Sequence, residues 1–477
     1  MLDVTIIGGG IIGANVAYRL GLRNANVLLL EKDTDVANGT TKANSAIVHA
    51  GYDPEPGTAM ARLNVRGSRL TKELAQNLSV PYKQIGSLVL AFDGADMMML
   101  DELFHRGYAN GLHDLRLLNP TEIKEIEPNL SPDVKAALLA PSAAVIEPWE
   151  MATALADTAV LNGVQVKLNT EVTAVNPIEG GWRVVTADGT AYDTKYVINA
   201  AGTYADVIND MAAPHCFTTK PSKGEYYLLD KNQSGLVNHV IFQCPNEKGK
   251  GVLVSPTVHG NIIVGPDAVL ATDRDRVDTQ ADGLAFVRTA ALKSVPTLNW
   301  RSSIRNFAGV RANSDKDDFI IEQTAPGFIT LGGIKSPGLS AAPAIAEEAE
   351  KLLEQAGFNA EKKENPITTR KKVRFSALSP QEKAKLIQEK PAYGRIICRC
   401  EGITEGEIVE ALHSPIPPTT IDAIKRRCRA GMGRCQGGFC APRVHELICR
   451  ELGVAPKEVL KDKAGSVIIT DETKGRK

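Results

Sequence analysis

An α/β fold in three parts is predicted by three observations in this 477-residue chain. A glycine turn sits between a β-branched run and a helical pattern near the N-terminus. Strand-like runs separated by turn residues fill the middle. Four cysteines gather in the last fifth. Together they predict a Rossmann-like nucleotide-binding domain, an antiparallel-sheet cap and a small, mainly helical C-terminal module.

Composition narrows the function first. A hydrophobic content of 43% with 23% charged residues is that of an ordinary water-soluble globular chain. A net charge of −1 gives no electrostatic footprint for nucleic acid. No basic segment precedes an apolar one at the start of the chain, and no apolar run approaches the roughly 18 residues of a membrane span. A cytoplasmic location without a transmembrane segment is expected, with peripheral membrane contact left open. Six of the eight cysteines lie beyond residue 397. In a reducing compartment that clustering points to metal or redox chemistry rather than disulfides. Cys216, Cys244 and Cys449 are expected as small buried apolar groups.

The N-terminal domain rests on an ordered set of signals. Val4-Thr5-Ile6-Ile7 is followed by Gly8-Gly9-Gly10-Ile11-Ile12-Gly13, which fits G-x-G-x-x-G. A helical pattern and a second strand, residues 27–30, lead to Glu31. Gly8 permits the tight turn, Gly10 lets backbone approach a pyrophosphate, and Gly13 lets helix and strand pack closely. The helix N-terminus at Ile12 and Gly13 favours the phosphate charge, and Glu31 can accept from a ribose hydroxyl. Residues 196–202 form a second strand ending in small residues, Ala200-Ala201-Gly202. Such a late return to the nucleotide site favours FAD over NAD.

The middle reads as the cap. Residues 80–140 and 216–305 carry strand-like runs, including residues 223–228 and 260–265, and a pocket is expected where this cap meets the nucleotide domain. Flavin oxidation of an alcohol needs a base for the hydroxyl proton and a cation for the anionic end of the substrate. Among eight histidines, His49 and His259 sit in glycine-flanked segments and are the candidate bases. Arg311, after Gly309-Val310, is the candidate anion clamp. Lys223, Tyr226, Lys335 and Ser336 are candidates for the substrate wall. The helix that follows the loop Pro337-Gly338-Leu339-Ser340 can aim its N-terminus at the flavin pyrimidine ring.

The polar stretch 359–392 reads as a linker with a short helix at 380–389, its basic run Arg370-Lys371-Lys372 lying on the solvated surface. The last module opens on Cys398-Arg399-Cys400 and continues, 34 residues later, with Cys435-Gln436-Gly437-Gly438-Phe439-Cys440. Thr404 with Glu407 forms a capping box for a helix at 405–413. Further helices are expected at 421–429 and 442–452. Four thiolates suit a soft metal, and C-x-C is too tight for the usual zinc spacing. Arg427, Arg429 and Arg434 are placed to offset a negative cluster or to dock an electron partner. Cys428 is expected to be structural.

Two resemblances rest on these residues. Residues 1–355 resemble the D-amino-acid-oxidase-like FAD oxidoreductases, through the fingerprint, Ser45 with His49-Ala50-Gly51, the 199–202 strand end, Gly309-Val310-Arg311 and Gly332-Gly333. The resemblance implies FAD held by Lys32, Thr40, Thr41, Asn44 and Ser45, by Val172, Ala201 and Gly202, and by Gly309, Gly338, Leu339 and Ser340. It leaves covalent attachment open, with His49 near the flavin loop. Residues 393–455 resemble the bacterioferritin-associated-ferredoxin-like [2Fe–2S] domains, implying Cys398, Cys400, Cys435 and Cys440 as ligands. The implied organisation is a FAD-dependent oxidoreductase over 1–358, with flavin-binding parts at 1–80, 141–215 and 306–358 and cap parts at 81–140 and 216–305. A linker at 359–392, the cluster domain at 393–460 and a tail at 461–477 complete it.

The combination resembles the anaerobic type of glycerol-3-phosphate dehydrogenase. It implies oxidation of sn-glycerol 3-phosphate to dihydroxyacetone phosphate, with electrons passing by way of the cluster to a redox partner protein. Ala312-Asn313 follow Arg311 where those enzymes carry Pro-Leu, and the loop 335–340 lacks their terminal Arg. That loop and Gly224-Glu225-Tyr226-Tyr227 resemble L-2-hydroxyglutarate dehydrogenases, the second enzymatic reading. A non-catalytic electron-transfer subunit is the reading from outside enzymes, and the set His49, His259 and Arg311 speaks against it.

Overall fold

The computed structural model describes residues 1–245 and 251–471. The strand Leu2–Ile7 lies at the centre of the nucleotide-binding sheet, parallel to Val27–Leu30 on one side and to Ala191–Asn199 on the other. Gln165–Lys167 extends the first side in parallel. The free edge of Ala191–Asn199 is shared. Its first half carries the antiparallel pair Gly181–Thr186 and Val172–Ile178, and its second half pairs in parallel with Phe328–Gly332. All four positions of Val27–Leu30 are buried, as expected for a strand covered on both faces. The helices Ile11–Gly21, Pro148–Leu161 and Gly338–Gln355 pack together on one face. Alanines 152, 156, 159, 341, 342 and 349 in their contact surfaces let the backbones come close.

The cap is a second sheet, running in space from Val269–Leu270 through Ser222–Leu229, Ile262–Gly265, Leu253–Pro256, Val240–Gln243, Ser87–Ala91 and Ala136–Ala140 to Arg116–Leu118. It is antiparallel except where Val240–Gln243 runs parallel to Ser87–Ala91. Its side chains alternate between two cores. Val89, Ala91, Leu253 and Ile263 face the helix Gly94–Ala109 with Leu100 and Leu103. Leu88, Leu90, Val254, Ile262 and Val264 face the helix Ala281–Ser294 with Val287 and Ala291. The period of two is intact, but both faces are dry.

Two expected boundaries move. Ser303–Arg311 pairs antiparallel along the whole of Ser222–Leu229, so residues 306–311 belong to the cap sheet and not to the flavin-binding part. The expected linker is a packed strap. Lys363 and Arg370 donate backbone bonds to Leu22 and Asn77, and Asn162 holds Ile367 through its side-chain amide. The basic run is also corrected. Arg370, Lys372 and Arg374 converge on the buried carboxylate of Glu150, at 3.3, 2.9 and 2.6 Å, because an unpaired carboxylate there would be costly. The short helix inside the strap is Pro380–Glu389, with a Ser379 capping box.

The C-terminal module packs Glu405–Leu412, Ile421–Cys428 and Ala441–Leu452 around Ile408, Ile424, Val444 and Ile448. The Thr404 and Glu407 capping box forms as the sequence predicts. The module is sealed to the nucleotide domain by buried charge. Arg427 grips Asp35 with both guanidinium nitrogens, at 2.7 and 2.8 Å, and Arg426 adds a bond at 3.1 Å. The expected tail joins the same seam: Asp462 pairs with Lys42 at 2.6 Å and with Arg426 at 2.9 Å. Residues 472–477 of that tail lie outside the described residues. No helix among the described residues is long and apolar enough to cross a membrane.

Burial opposes the charge on Asp35, yet Arg427 and then Arg426 hold its carboxyl below the ordinary value of 3.8. Stability from this pair is therefore fully present above about pH 4 and is lost as the pH falls through the depressed value. Asp35→Ala leaves a buried guanidinium without its partner and is expected to cost about 3–5 kcal/mol. Chemical denaturation and limited proteolysis check this: the variant should release residues after 395 earlier, and an unchanged melt would place the seam's strength elsewhere.

Candidate active site and cluster module

The nucleotide cradle follows from the glycines. Gly8 has φ +104°, and a Cβ there would collide with the carbonyl of Ala200; one on Gly13 would collide with the carbonyl of Gly8. The helix Ile11–Gly21 starts at Gly10 with no side-chain cap, leaving the N–H groups of Ile12 and Gly13 to face a pyrophosphate. Thr41 accepts from the Ile11 N–H at 2.9 Å and so fixes the helix start. Glu31 accepts from the N–H groups of Gly9 and Asp33, at 2.6 and 2.9 Å. Burial pushes its carboxyl up to about 7, and a carboxylate retains lone pairs for a ribose hydroxyl. Lys32 lies at the surface, over the Tyr204 ring and 3.5 Å from Asp275.

The flavin loop is built by Thr40, Asn44 and Ser45. Thr40 donates to the carbonyl of Val310 at 2.6 Å, and Asn44 closes its own turn by accepting from Ala46 at 2.8 Å. Gly309 presses against the carbonyl of Ala43, where a Cβ would not fit. The cap strand and flavin loop are thus in van der Waals contact. Ser45 shares a hydrogen bond with the Tyr226 hydroxyl at 3.2 Å. On the opposite side, Gly338–Gln355 begins without a side-chain cap, so the N–H groups of Leu339 and Ser340 point outward. Ser340 accepts from the His49 N–H at 2.8 Å and ties that helix to the loop carrying His49. Val172 is buried at a strand start, and Ala201 and Gly202 follow the strand Ala191–Asn199. Two uncapped helix poles and a glycine-lined approach fit a flavin dinucleotide.

A cavity of about 420 Å³ opens between this cradle and the cap, with Arg311, Lys335 and Ser336 in its wall. Arg311 is held by Ser222 Oγ at 3.4 Å and by the Asp267 carbonyl at 3.2 Å. Its guanidinium lies flat against Gly224, at a distance that leaves no room for a Cβ. A glycine inside a strand signals such a close approach, and Gly224 within Ser222–Leu229 is that sign in the sequence. His49 stacks on Phe242 with centroids 5.8 Å apart, and its Nε2 lies 3.4 Å from Ser336 Oγ. His49, Arg311, Lys335 and Ser336 are thereby brought together.

Three predicted site residues are not. Tyr226 is buried, stacked on Phe307 with centroids 4.8 Å apart and bonded to Ser45, and does not line the cavity. His259 Nε2 bonds Glu147 at 2.9 Å, at the junction with the C-terminal module, so it does not face the cavity wall that Arg311 builds. Lys223 is buried and turned away, pairing with Glu225 at 2.9 Å and donating to the Asp278 carbonyl at 2.8 Å. For His259 the carboxylate that claims the side chain lies 112 positions away and leaves no local signal, whereas Lys223 is claimed by Glu225, two residues along the same strand and therefore on the same face.

The cysteines stand as two pairs. Cys400 and Cys435 are 3.7 Å apart at the sulfurs, close to the separation of about 3.8 Å for two thiolates 2.3 Å from one tetrahedral metal. Cys398 and Cys440 form the second, buried pair. A hydrogen bond from Cys440 lowers the Cys398 thiol to about 6. Among the described residues no three metal-binding groups gather for a single ion, whereas two pairs match two irons with two thiolates each. Gly433 lies against the Cys400 Cβ and admits no side chain. Cys428 is buried, its thiol pushed up to about 12 by that burial, and it donates to Ile424. Cys244 is buried as expected, while Cys216 and Cys449 are half-buried. Arg427 and Arg429 point inward to Asp35 and Glu147, and Arg434 pairs with Asp230 of the cap at 3.1 Å. All three dock the module onto its own chain.

Comparison with known proteins places both parts. The model for "FAD dependent oxidoreductase", DAO, matches residues 3–352, and that for "BFD-like [2Fe-2S] binding domain" matches residues 396–450. The chain is 50% identical over 477 residues to a glycerol 3-phosphate dehydrogenase of Caloramator mitchellensis, with 99% of each chain covered. It is 35% identical to a glycerol 3-phosphate oxidase of Mycoplasma genitalium, over 74% of this chain and 94% of that one. A solved structure, dithionite-reduced L-alpha-glycerophosphate oxidase of Mycoplasma pneumoniae with FAD bound, matches with a TM-score of 0.74 at 35% identity, covering 78% of this chain and 99% of that one. The chain belongs to the DAO family of FAD-dependent oxidoreductases and joins to that fold a BFD-like [2Fe–2S] domain.

Proposed function

We propose that this chain oxidises sn-glycerol 3-phosphate to dihydroxyacetone phosphate and passes the electrons by way of the cluster to a protein acceptor. The observation behind the substrate reading is that Arg311 and Lys335, two cations, line one cavity with Ser336, alongside the carboxylates of Glu55, Asp267, Asp317 and Asp318. Two positive side chains suit a phosphate dianion. The 50% identical relative, similar along the full chain, bears the name glycerol 3-phosphate dehydrogenase, which supports the same choice. The second reading, a 2-hydroxy acid such as L-2-hydroxyglutarate, draws on the 29% identical L-2-hydroxyglutarate dehydrogenase of Escherichia coli, matched over 64% of this chain.

FAD, when bound, supplies the acceptor for the two electrons and the hydrogen that leave carbon 2. The protein's own part is placement and proton handling. Arg311 and Lys335 hold the phosphate. His49, across from Ser336, takes the proton of the carbon-2 hydroxyl. The Gly338–Gln355 helix pole favours negative charge beside the flavin ring. Four thiolates in the C-terminal module would hold a [2Fe–2S] cluster, which would supply a one-electron outlet that a direct oxidase does not need.

Anaerobic titration with each substrate, followed by flavin absorbance, tests the reading. Bleaching by glycerol 3-phosphate is expected. Bleaching by L-2-hydroxyglutarate alone would replace it with the second reading. Arg311→Ala should raise KM about 10- to 100-fold, the loss of one or two charge-assisted bonds, with FAD retained. Gly224→Ala should push the guanidinium aside and raise KM in the same direction, with some loss of melting temperature because the new Cβ also presses on the Pro266 ring. His49→Asn should lower the rate of flavin bleaching by about 10²-fold or more, the usual worth of a general base. Unchanged kinetics in either His49 or Arg311 variant would take that residue out of the site.

A further inference from the structure

Glu147 occupies the N-cap position of Pro148–Leu161 but does not cap it. Its buried carboxylate turns away and takes bonds from His259 Nε2 at 2.9 Å, Arg429 Nη1 at 2.9 Å and Trp149 Nε1 at 3.1 Å. Burial works against its charge, but Arg429 and then His259 hold its carboxyl well below the ordinary range. Arg429 continues the chain of contacts. Its Nε bonds Glu401 at 3.1 Å, and Lys231 of the cap reaches the same carboxylate at 2.9 Å.

The two ends of this chain of contacts are chemically distinct. Glu147 follows Ile146, whose N–H bonds the carbonyl of Ala46 at 2.9 Å, next to Ser45 of the flavin loop. Glu401 follows Cys400, a cluster cysteine. Two ion pairs therefore join the flavin loop to the thiolate loop. Arg429 also sits at φ +68° after the helix Ile421–Cys428. That left-handed position favours glycine. A long cationic side chain held in an unfavourable backbone conformation points to a task for the guanidinium.

We propose that the Arg429 and Glu147 pair positions the cluster against the flavin and that electron passage between the two cofactors depends on it. Both residues are positioning residues, since neither stands among the cavity-lining side chains or the four cluster cysteines. The inference rests on the flavin and cluster operating in series, as in the proposed function, but not on the identity of the substrate.

Arg429→Gly suits the backbone conformation and removes the whole side chain, leaving Glu147 to His259 and Trp149 and Glu401 to Lys231; some stability is lost, so FAD and iron are counted first and rates are compared per loaded molecule. Flavin reduced anaerobically by glycerol 3-phosphate, or by light with EDTA as the sacrificial electron donor and no substrate present, should form at the parent rate. The electron paramagnetic resonance signal of the reduced cluster should then grow about tenfold or more slowly, as small misplacements of reacting groups do. Arg429→Lys, which keeps the charge on Glu147, should restore most of the rate, and Glu147→Gln should slow it. Cluster reduction at the parent rate in Arg429→Gly would overturn the proposal. Failure of glycerol 3-phosphate to reduce the flavin, with light-driven transfer still dependent on Arg429, would sink the substrate reading and leave this one standing.

Discussion

Opposite charge buried along one short helix holds the two redox parts together. Ile421–Cys428 and the residue after it send Arg426, Arg427 and Arg429 into the nucleotide domain, where Asp35 and Glu147 are almost without solvent. Replacing such pairs by apolar contacts often costs little stability, but removing one member leaves a charge that water cannot reach. The seam therefore tolerates few partial changes. It fixes orientation better than an apolar patch does, because a bidentate guanidinium accepts one geometry.

The local features of this seam's neighbours were legible in the sequence. The glycine fingerprint, the Thr404 and Ser379 caps and the helix over 380–389 all arise from residues within a few positions of one another. The cysteine spacing belongs with them, because a ligand loop is a local object. What could not be read was distant pairing. Ser303–Arg311 looks like any alternating strand, and only its partner, Ser222–Leu229, decides that it belongs to the cap. The basic residues 370–374 resemble a solvated run until Glu150 is seen beneath them. His259 has the flanking glycine of an active-site loop, and a carboxylate 112 positions away redirects it.

Glycine plays a second part, away from the nucleotide turn. Gly309 lets a cap strand touch the backbone of Ala43, and Gly224 lets the Arg311 guanidinium lie on the neighbouring strand. Neither position has the left-handed backbone that makes glycine obligatory for conformational reasons. Both are close approaches, and both sit where cap and flavin loop meet. The cavity between cradle and cap thus owes its shape to missing side chains as much as to the charged ones that line it.

The four cluster cysteines are unequally sheltered. Cys398 and Cys440 are buried, whereas Cys400 is exposed and Phe439, one residue before Cys440, stands 78% in solvent. The module has a dry inner side and a wet rim. Oxygen and chelators arriving from bulk water meet the rim first, so oxidative wear begins at the outer sulfurs while the flavin cradle, behind the charged seam, keeps its lining. Damage of that kind would fall on the cluster module while the FAD-dependent part keeps its fold.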